Sequence, residues 1–324
     1  MNKQNMNRSA QRRTASLPGT ACRTDSRRAA GLGIALILCS GILPGRAAAP
    51  EDLAGAATSA EIDGVGRRVL IPHHPARVVA LAPSLSEMLS AIRAWDLVVG
   101  LSDYCRVPEG FPEPARVGGL IHPDMERIVA LKPDLVLATT AGNYQEDADQ
   151  LERLGIPVYT LDTPSVASVL SALETMGRIL GRREEAASMV RSLEARLAGV
   201  RDRVGMSRRP SVLFIIWDKP IIAPGRDAFV TEALSLAGAR SISSESPGKW
   251  PEMDLEQIIS KGPEVILTVT HQRALADSLP GRAEWAAVPA VRERRIHVVS
   301  DDIEQPGPRI VDGIEEVARI LHPD

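Results

Sequence analysis

The sequence predicts an α/β protein of two similar lobes with short buried sheets, one long rigid helix joining them, and a ligand cleft between. Three observations predict it. Residues 117–140 (VGGLIHPDMERIVALKPDLVLATT) read as loop, helix, tight turn and buried strand. The same unit returns 130 positions later, in residues 251–270 (PEMDLEQIISKGPEVILTVT). Between the two copies, residues 165–204 are helical in pattern, interrupted only near Gly181. Duplicated lobes meet in a cleft, and clefts between domains are where small ligands bind.

Within the repeated unit, Asp124 is the expected N-cap, and Ile128, Val129 and Leu131 form the apolar face of the helix it opens. Lys132-Pro133-Asp134 stops that helix, because proline disfavours helical geometry in the residue before it and has no N–H. Residues 135–138 are a short apolar run of the kind a parallel sheet buries on both faces. Residues 126–140 overlay 256–270 without a gap. Asp124-x-Glu126 matches Asp254-x-Glu256, and Pro133-Asp134 matches Pro263-Glu264.

The N-terminus stands apart from this pattern. Arg12, Arg13, Arg23, Arg27 and Arg28 precede an apolar run over 29–43, which ends near Ala47-Ala48-Ala49. That order marks residues 1–49 as a secretory signal peptide directed to the periplasm. The run is shorter than the ~20 residues a spanning helix needs. Ser26-Arg27-Arg28 leaves the twin-arginine route open beside the general one. Cys39 is a poor lipid-anchor cysteine, because bulky Leu38 precedes it. Eight Lys or Arg and one acidic residue fall in 1–49, leaving 30 basic against 40 acidic residues in the remainder. An acidic mature chain excludes nucleic acid as the expected partner. Cys105 is the one cysteine beyond the leader, so no internal disulfide forms.

Residues 50–75 read as a loose linker and a short hairpin around Asp63-Gly64. The N-terminal lobe, 76–164, opens with a strand over 77–81. Ser84 and Glu87 have capping-box spacing, which predicts a helix from there to about residue 94. A second strand over 97–100, a loop to 114, the repeated unit, a helix over 146–154 and a strand over 157–161 follow. In the connecting helix, 165–204, Met189, Leu193, Leu197, Val200 and Val204 make one apolar stripe. Its 184–204 portion alone spans roughly 30 Å at 1.5 Å per residue, enough for a spine; a two-helix hairpin inside one domain is the competing reading. The C-terminal lobe, 205–324, has a strand over 211–217, a helix over 227–238, the second unit, a strand over 295–300 and a closing helix over 310–321.

No catalytic constellation is present: no nucleophile elbow, no phosphate-binding loop and no cysteine pair for zinc. Among the six histidines only His73 and His74 are close in sequence, and they point apart on an extended chain. A dedicated zinc or manganese receptor is therefore not expected. His122, on the loop entering the first repeated helix, is read as a solvated loop residue, with metal ligation the minor alternative. Tyr104, Trp217 and Trp250 sit in loops beside strand ends, where aromatics either line clefts or cap a core edge. Asn143 joins them as an expected ligand contact. Arg309, after Pro306-Gly307-Pro308, presents a guanidinium to a carboxylate or phosphate, or else to water. Glu126 and Glu256 lie in first helical turns, where the helix dipole alone favours a carboxylate by roughly 0.3–1 kcal/mol. Docking onto a basic partner explains them equally well on the residues alone.

The motifs RVVALAPSLSE, LVVGLSDYC, VGG followed by PDMERIVALKPDLVL, WPEMDLEQI and QPGPRIVDG, in that order, resemble the cobalamin/iron-siderophore substrate-binding proteins of ABC importers. The resemblance runs from about Arg77 to the C-terminus and is nearest the cobalamin-binding branch. It implies two Rossmann-like lobes joined by one long helix, and a binder that is not an enzyme. It implies a small-molecule metal chelate as ligand, a corrinoid before a ferric siderophore or haem, and no cofactor of its own. It implies a monomer that serves an ABC permease and its ATPase. Tyr104 and Trp250 match the family's ring-stacking aromatics, and Glu126 and Glu256 match the glutamates that dock on permease arginines. In the haem-binding branch a Tyr or His ligates the iron, for which His122 and Tyr104 are the candidates. The chain departs from the cobalamin branch near Leu120 and Thr139 and at Asp302 and Ile303, where aromatics are missing. The rival classes are a chelatase-like enzyme, which needs a metal-handling His/Glu pair in the cleft, and a sensor without permease docking.

Overall fold

The computed structural model describes residues 58–323. The expected signal peptide, Cys39 and the first residues of the linker lie outside them. β1 (Thr58–Ile62) and β2 (Arg68–Pro72) form the expected antiparallel hairpin. Its turn is held by the buried Asp63 carboxylate, which accepts from the Val65 and Arg67 amides at 3.1 and 2.7 Å and pairs with the Arg67 guanidinium.

The N-terminal lobe contains β3 (Val78–Ala80), α1 (Pro83–Ala91), β4 (Val98–Leu101), β5 (Ala115–Arg116), α2 (Met125–Ala130), β6 (Leu135–Thr139), α3 (Gln145–Arg153) and β7 (Val158–Leu161). The strands form a parallel sheet in the order β5-β4-β3-β6-β7. The chain therefore reverses its direction across the sheet between β3 and β6, and the loops leaving those strands open a crevice there. Every residue of β6 is buried, as its unbroken apolar run predicts.

α4 (Val166–Ile179) and α5 (Arg183–Val204) follow. The expected single connector is thus two helices. The chain breaks at Leu180–Arg182, with Gly181 at φ +70°, and short connections make neighbouring helices antiparallel. Gly177 lets them pack closely, since a Cβ there would stand 2.3 Å from that of Ala186. The two helices are tied to the hairpin and to the N-terminal lobe. Arg178 pairs with Glu61 of β1 at 2.5 Å, and Arg182 grips Asp96 through both carboxylate oxygens.

The C-terminal lobe contains β8 (Ser211–Ile215), α6 (Phe229–Leu236), β9 (Arg240–Ser241), α7 (Leu255–Lys261), β10 (Val265–Val269), α8 (Arg273–Ser278), α9 (Pro289–Arg292), β11 (Ile296–Val299) and α10 (Ile310–Leu321). Its parallel sheet has the order β11-β10-β8-β9, the N-terminal plan with one strand fewer. The repeat is physical as well as sequential. Val78 pairs with Leu135 in one sheet, and Val212 with Val265, 130 residues on from Leu135, in the other. Arg196 of α5 binds Asp312 and Glu315 of α10, which holds this end of α5 to the second lobe. One apolar core runs from Leu85 and Met88 through Leu173 and Leu193 to Ile303 and Ile314, so both lobes and the connector share it.

Two local expectations fail. Pro83 takes the first helical position of α1, where its missing N–H costs nothing, and Ala82 becomes the N-cap. Ser84 is then inside the helix, and no capping box with Glu87 forms. Val129, expected on the apolar face of α2, is exposed; Ile128 is the residue buried there.

Candidate functional site

The loop that follows β11 meets α1, the helix that follows β3, at Gly307. A Cβ at that position would lie 3.1 Å from Glu87 Oε2 and 3.5 Å from Ser84 of α1, so the second lobe rests its loop on the first. Beside this contact is a crevice of about 360 Å³ lined by Glu87, Arg106, Pro108, Leu193, Arg196 and Arg309, among others. Burial pushes the Glu87 carboxyl up and Arg309 opposes the shift. Glu87 Oε2 is buried with no hydrogen-bond partner among the described residues. Arg309 donates to Asp302 Oδ2 at 2.8 Å, so part of its guanidinium is already committed inside the protein. Of the five expected ligand contacts, Arg309 alone lines this crevice.

Trp217 and Trp250 lie together on a different part of the same lobe. Trp217 follows β8 and pairs with Ile222, which pairs in turn with Glu252, two residues after Trp250. Backbone hydrogen bonds from Ala223 to Pro251 and from Gly225 to Lys249 lock the two loops together. Gly225 is required for this closeness, because a Cβ there would stand 2.4 Å from the Gly248 carbonyl oxygen. Both indoles remain open to solvent, at 52% and 44% exposure. A rigid backbone patch carrying two exposed indoles loses little entropy when a flat ligand covers it.

On the N-terminal lobe, Tyr104 follows β4 and is 61% exposed. It lies against the 117–124 loop, 3.9 Å from where a Gly119 Cβ would be. Asn143 is engaged by the backbone around it. Its Nδ2 donates to the carbonyls of Leu81 and Leu120 at 3.2 and 2.9 Å, and its Oδ1 accepts from the Thr139 amide at 2.9 Å. Both of its donor hydrogens are thereby directed at backbone, so it clips three loops together. Tyr144 next to it is exposed, and no motif in the sequence singled it out. Its ring meets that of His122 at 5.4 Å between centroids. His122 Nδ1 lies 3.3 Å from Asp147 Oδ1, and the residue is a loop histidine held by its neighbours. Thr139 and Ile303 are buried in the lobes, and Asp302 is bound by Arg309 and Ser300.

Glu126 and Glu256 lie in the first turns of α2 and α7, which are capped alike. Asp124 accepts from the Arg127 amide at 3.0 Å, and Asp254 from the Gln257 amide at 2.7 Å. Both glutamates are exposed. Among the described residues no hydrogen bond or ion pair engages either carboxylate. Each helix runs back toward the start of the next strand, so its first turn sits at the edge where the strands end, as the loops carrying Tyr104 and Trp217 do.

One further cluster lies at that edge. His271, Asp301 and Glu304 converge just past β10 and β11. Sequence reading missed it because His271 lies 30 residues before Asp301, and only the pairing of those two strands unites them. Burial, with Asp301 nearby, pushes the Glu304 carboxyl up to about 7.

Two parallel-sheet lobes, a connector packed between them and exposed loop side chains where strands end define a solute-binding protein. The chain belongs to the periplasmic binding protein family, whose profile matches residues 78–302. It is a substrate-binding protein of ABC importers, not an enzyme, and that class places it in the periplasm or on a membrane anchor. Among the described residues no helix is long and apolar enough to cross a membrane.

It is 29% identical over 271 residues to the uncharacterized ABC transporter substrate-binding lipoprotein YvrC of Bacillus subtilis, covering 81% of this chain and 85% of that one. It is 28% identical over 251 residues to a vitamin B12-binding protein of Vibrio cholerae, covering 77% and 90%. The crystal structure of the Vibrio cholerae periplasmic vitamin B12-binding protein BtuF superposes with a TM-score of 0.69 at 27% identity, over 77% of this chain and 98% of that one. The apo haem-binding protein RhuT of Roseiflexus shares the fold, with a TM-score of 0.68 at 23% identity, over 76% and 97%.

Proposed function

We propose that this protein, exported by its leader as a monomer, captures a corrinoid of the cobalamin type and delivers it to an ABC permease and its ATPase. The observation that carries the reading is the rigid patch presenting Trp217 and Trp250, with the open phenol of Tyr104 at the corresponding strand edge of the other lobe. Flat apolar rings of this kind suit a macrocycle, which buries large area against them at small conformational cost. The vitamin B12-binding relatives support the same ligand class. In this reading Arg309 offers its remaining donors to polar groups of the ligand, and Asn143 holds the loops in place. Glu126 and Glu256 contact the permease.

Titrating the protein with cyanocobalamin is expected to quench tryptophan fluorescence and release or absorb measurable heat. Trp250→Ala and Tyr104→Ala should each weaken binding about tenfold or more, as loss of a stacking anchor does. Absence of both signals at tens of micromolar ligand, with a ferric siderophore or haem binding instead, would replace the corrinoid. The exposed phenols of Tyr104 and Tyr144, either of which could ligate iron, are the observation favouring that second reading.

A further inference from the structure

We propose that His271, Asp301 and Glu304 form a mononuclear site for a divalent transition-metal ion at the strand-end edge of the C-terminal lobe. β10 and β11 are hydrogen-bonded neighbours, with Val269 opposite Val299. The turn over Thr270–Gln272 begins where β10 ends, and the turn over Asp301–Glu304 begins two residues after β11, so the backbone itself brings the three side chains together. His271 Nδ1 lies 3.4 Å from Asp301 Oδ1 and 3.9 Å from Glu304 Oε2. All three donor atoms fall within 4.8 Å of one another. Donors sharing one ion at 2.0–2.2 Å stand roughly 3–3.5 Å apart, so His271 and Asp301 already have ligand spacing, and the wider pairs close by about 1 Å, within reach of a side-chain rotation.

The hydrogen bonding of the carboxylates points the same way. Asp301 Oδ1 and Glu304 Oε1 are themselves shielded from solvent with no hydrogen bond among the described residues, although the Asp301 and Glu304 side chains are 38% and 18% exposed. Neither carboxylate pairs with an arginine or lysine there; His271 is the one basic group beside them. A buried, unpartnered carboxylate oxygen is costly, and a bound cation removes that cost. One imidazole with two carboxylates suits Mn²⁺, Fe²⁺, Co²⁺ or Zn²⁺, whereas Mg²⁺ and Ca²⁺ prefer oxygen donors throughout. Three protein ligands leave coordination positions open. His271 is half exposed, so those positions are reachable from solvent and from a ligand crossing the edge.

The test uses the metal alone, with no corrinoid or siderophore present, so it stands or falls apart from the ligand reading above. The full-length protein is stripped with chelator, dialysed and titrated with Co²⁺, followed by visible d–d absorption and by calorimetry, with Zn²⁺ and Mn²⁺ in parallel. The expected result is one ion per chain, with affinity falling about tenfold or more in both His271→Ala and the near-isosteric Glu304→Gln. His122→Ala should bind as the parent does. Circular dichroism and melting checked for each variant separate lost ligation from lost folding. No stoichiometric binding by about 0.1 mM of any of the three metals overturns the proposal. Binding that survives both His271→Ala and Glu304→Gln in folded protein also overturns it.

Discussion

Asp134 and Glu264, 130 residues apart, hold the same point in their respective lobes. Asp134 accepts from the Arg77 amide at 2.9 Å, just before β3, and Glu264 accepts from the Ser211 amide at 3.3 Å, at the start of β8. Each acidic residue directly precedes a central strand and holds the start of the neighbouring one, so one carboxylate per lobe ties the innermost pair together where it begins.

This predicts an acid-sensitive lobe. The Glu264 carboxyl is lowered from 4.5 to about 2, first by its hydrogen bonds from Arg208, then by Ser211, with burial opposing. A depressed folded pKa means that the stabilisation is present above the unfolded pKa and is lost as pH falls from about 4.5 through 2. Glu264→Gln should melt several degrees below the parent at pH 7, and the two melting curves should converge as pH approaches 2. Parallel curves across that window would show that Glu264 contributes no pH-dependent stability.

Gly177 is predicted to be intolerant of even one methyl group. Alanine normally favours a helix interior over glycine by roughly 0.5–1 kcal/mol. Here the added Cβ would meet Ala186 Cβ at 2.3 Å and the Arg182 carbonyl oxygen at 2.9 Å. Overpacking costs about 1–3 kcal/mol, so the clash wins. Denaturant unfolding of Gly177→Ala should show a lowered midpoint. A raised midpoint would mean that α4 and α5 separate easily.

Lobe closure on binding is predicted to be small. α4 and α5 are packed together and tied by arginines to both lobes, and one apolar core runs through all three parts. A connector of that kind bends far less than two or three extended strands would. Small-angle scattering with and without bound ligand should differ by less than about 1 Å in radius of gyration. A decrease of several ångströms would require a hinge that these contacts do not provide.

Glu126 and Glu256 are predicted to matter for transport and not for capture. Exposed, unengaged and equivalent in the two lobes, they suit charge pairing with a basic permease surface, which orients and speeds encounter and weakens with salt. Replacing both with arginine should abolish uptake of the ligand in cells while ligand affinity stays within about twofold. Normal uptake by the double variant would leave only the helix-dipole role. Collapse of affinity would mean that these residues touch the ligand.

What the sequence determined by itself was the repeated unit and everything periodic in it. The apolar run at 135–138, the caps Asp124 and Asp254, the proline stops and the closing helix over 310–321 are local signals, set by backbone sterics and hydrophobic period, and each appears where those signals put it. The break at Gly181 was also visible, but whether it ended a helix depended on the close approach of Gly177 to Ala186, a contact no local pattern encodes. The fate of Glu87 was decided in the same way. Its spacing from Ser84 suits a cap, yet Pro83 shifts the helix start and the carboxylate turns toward Gly307. The hydrogen bonds of Asn143 to Leu81, Leu120 and Thr139 were not legible either, because those carbonyl and amide groups converge only after both switch-point strands are in place. His271 and Glu304 were 33 positions apart in a chain searched for short-spaced ligands. Strand pairing between β10 and β11 joins them, because a parallel sheet delivers the ends of distant segments to one edge.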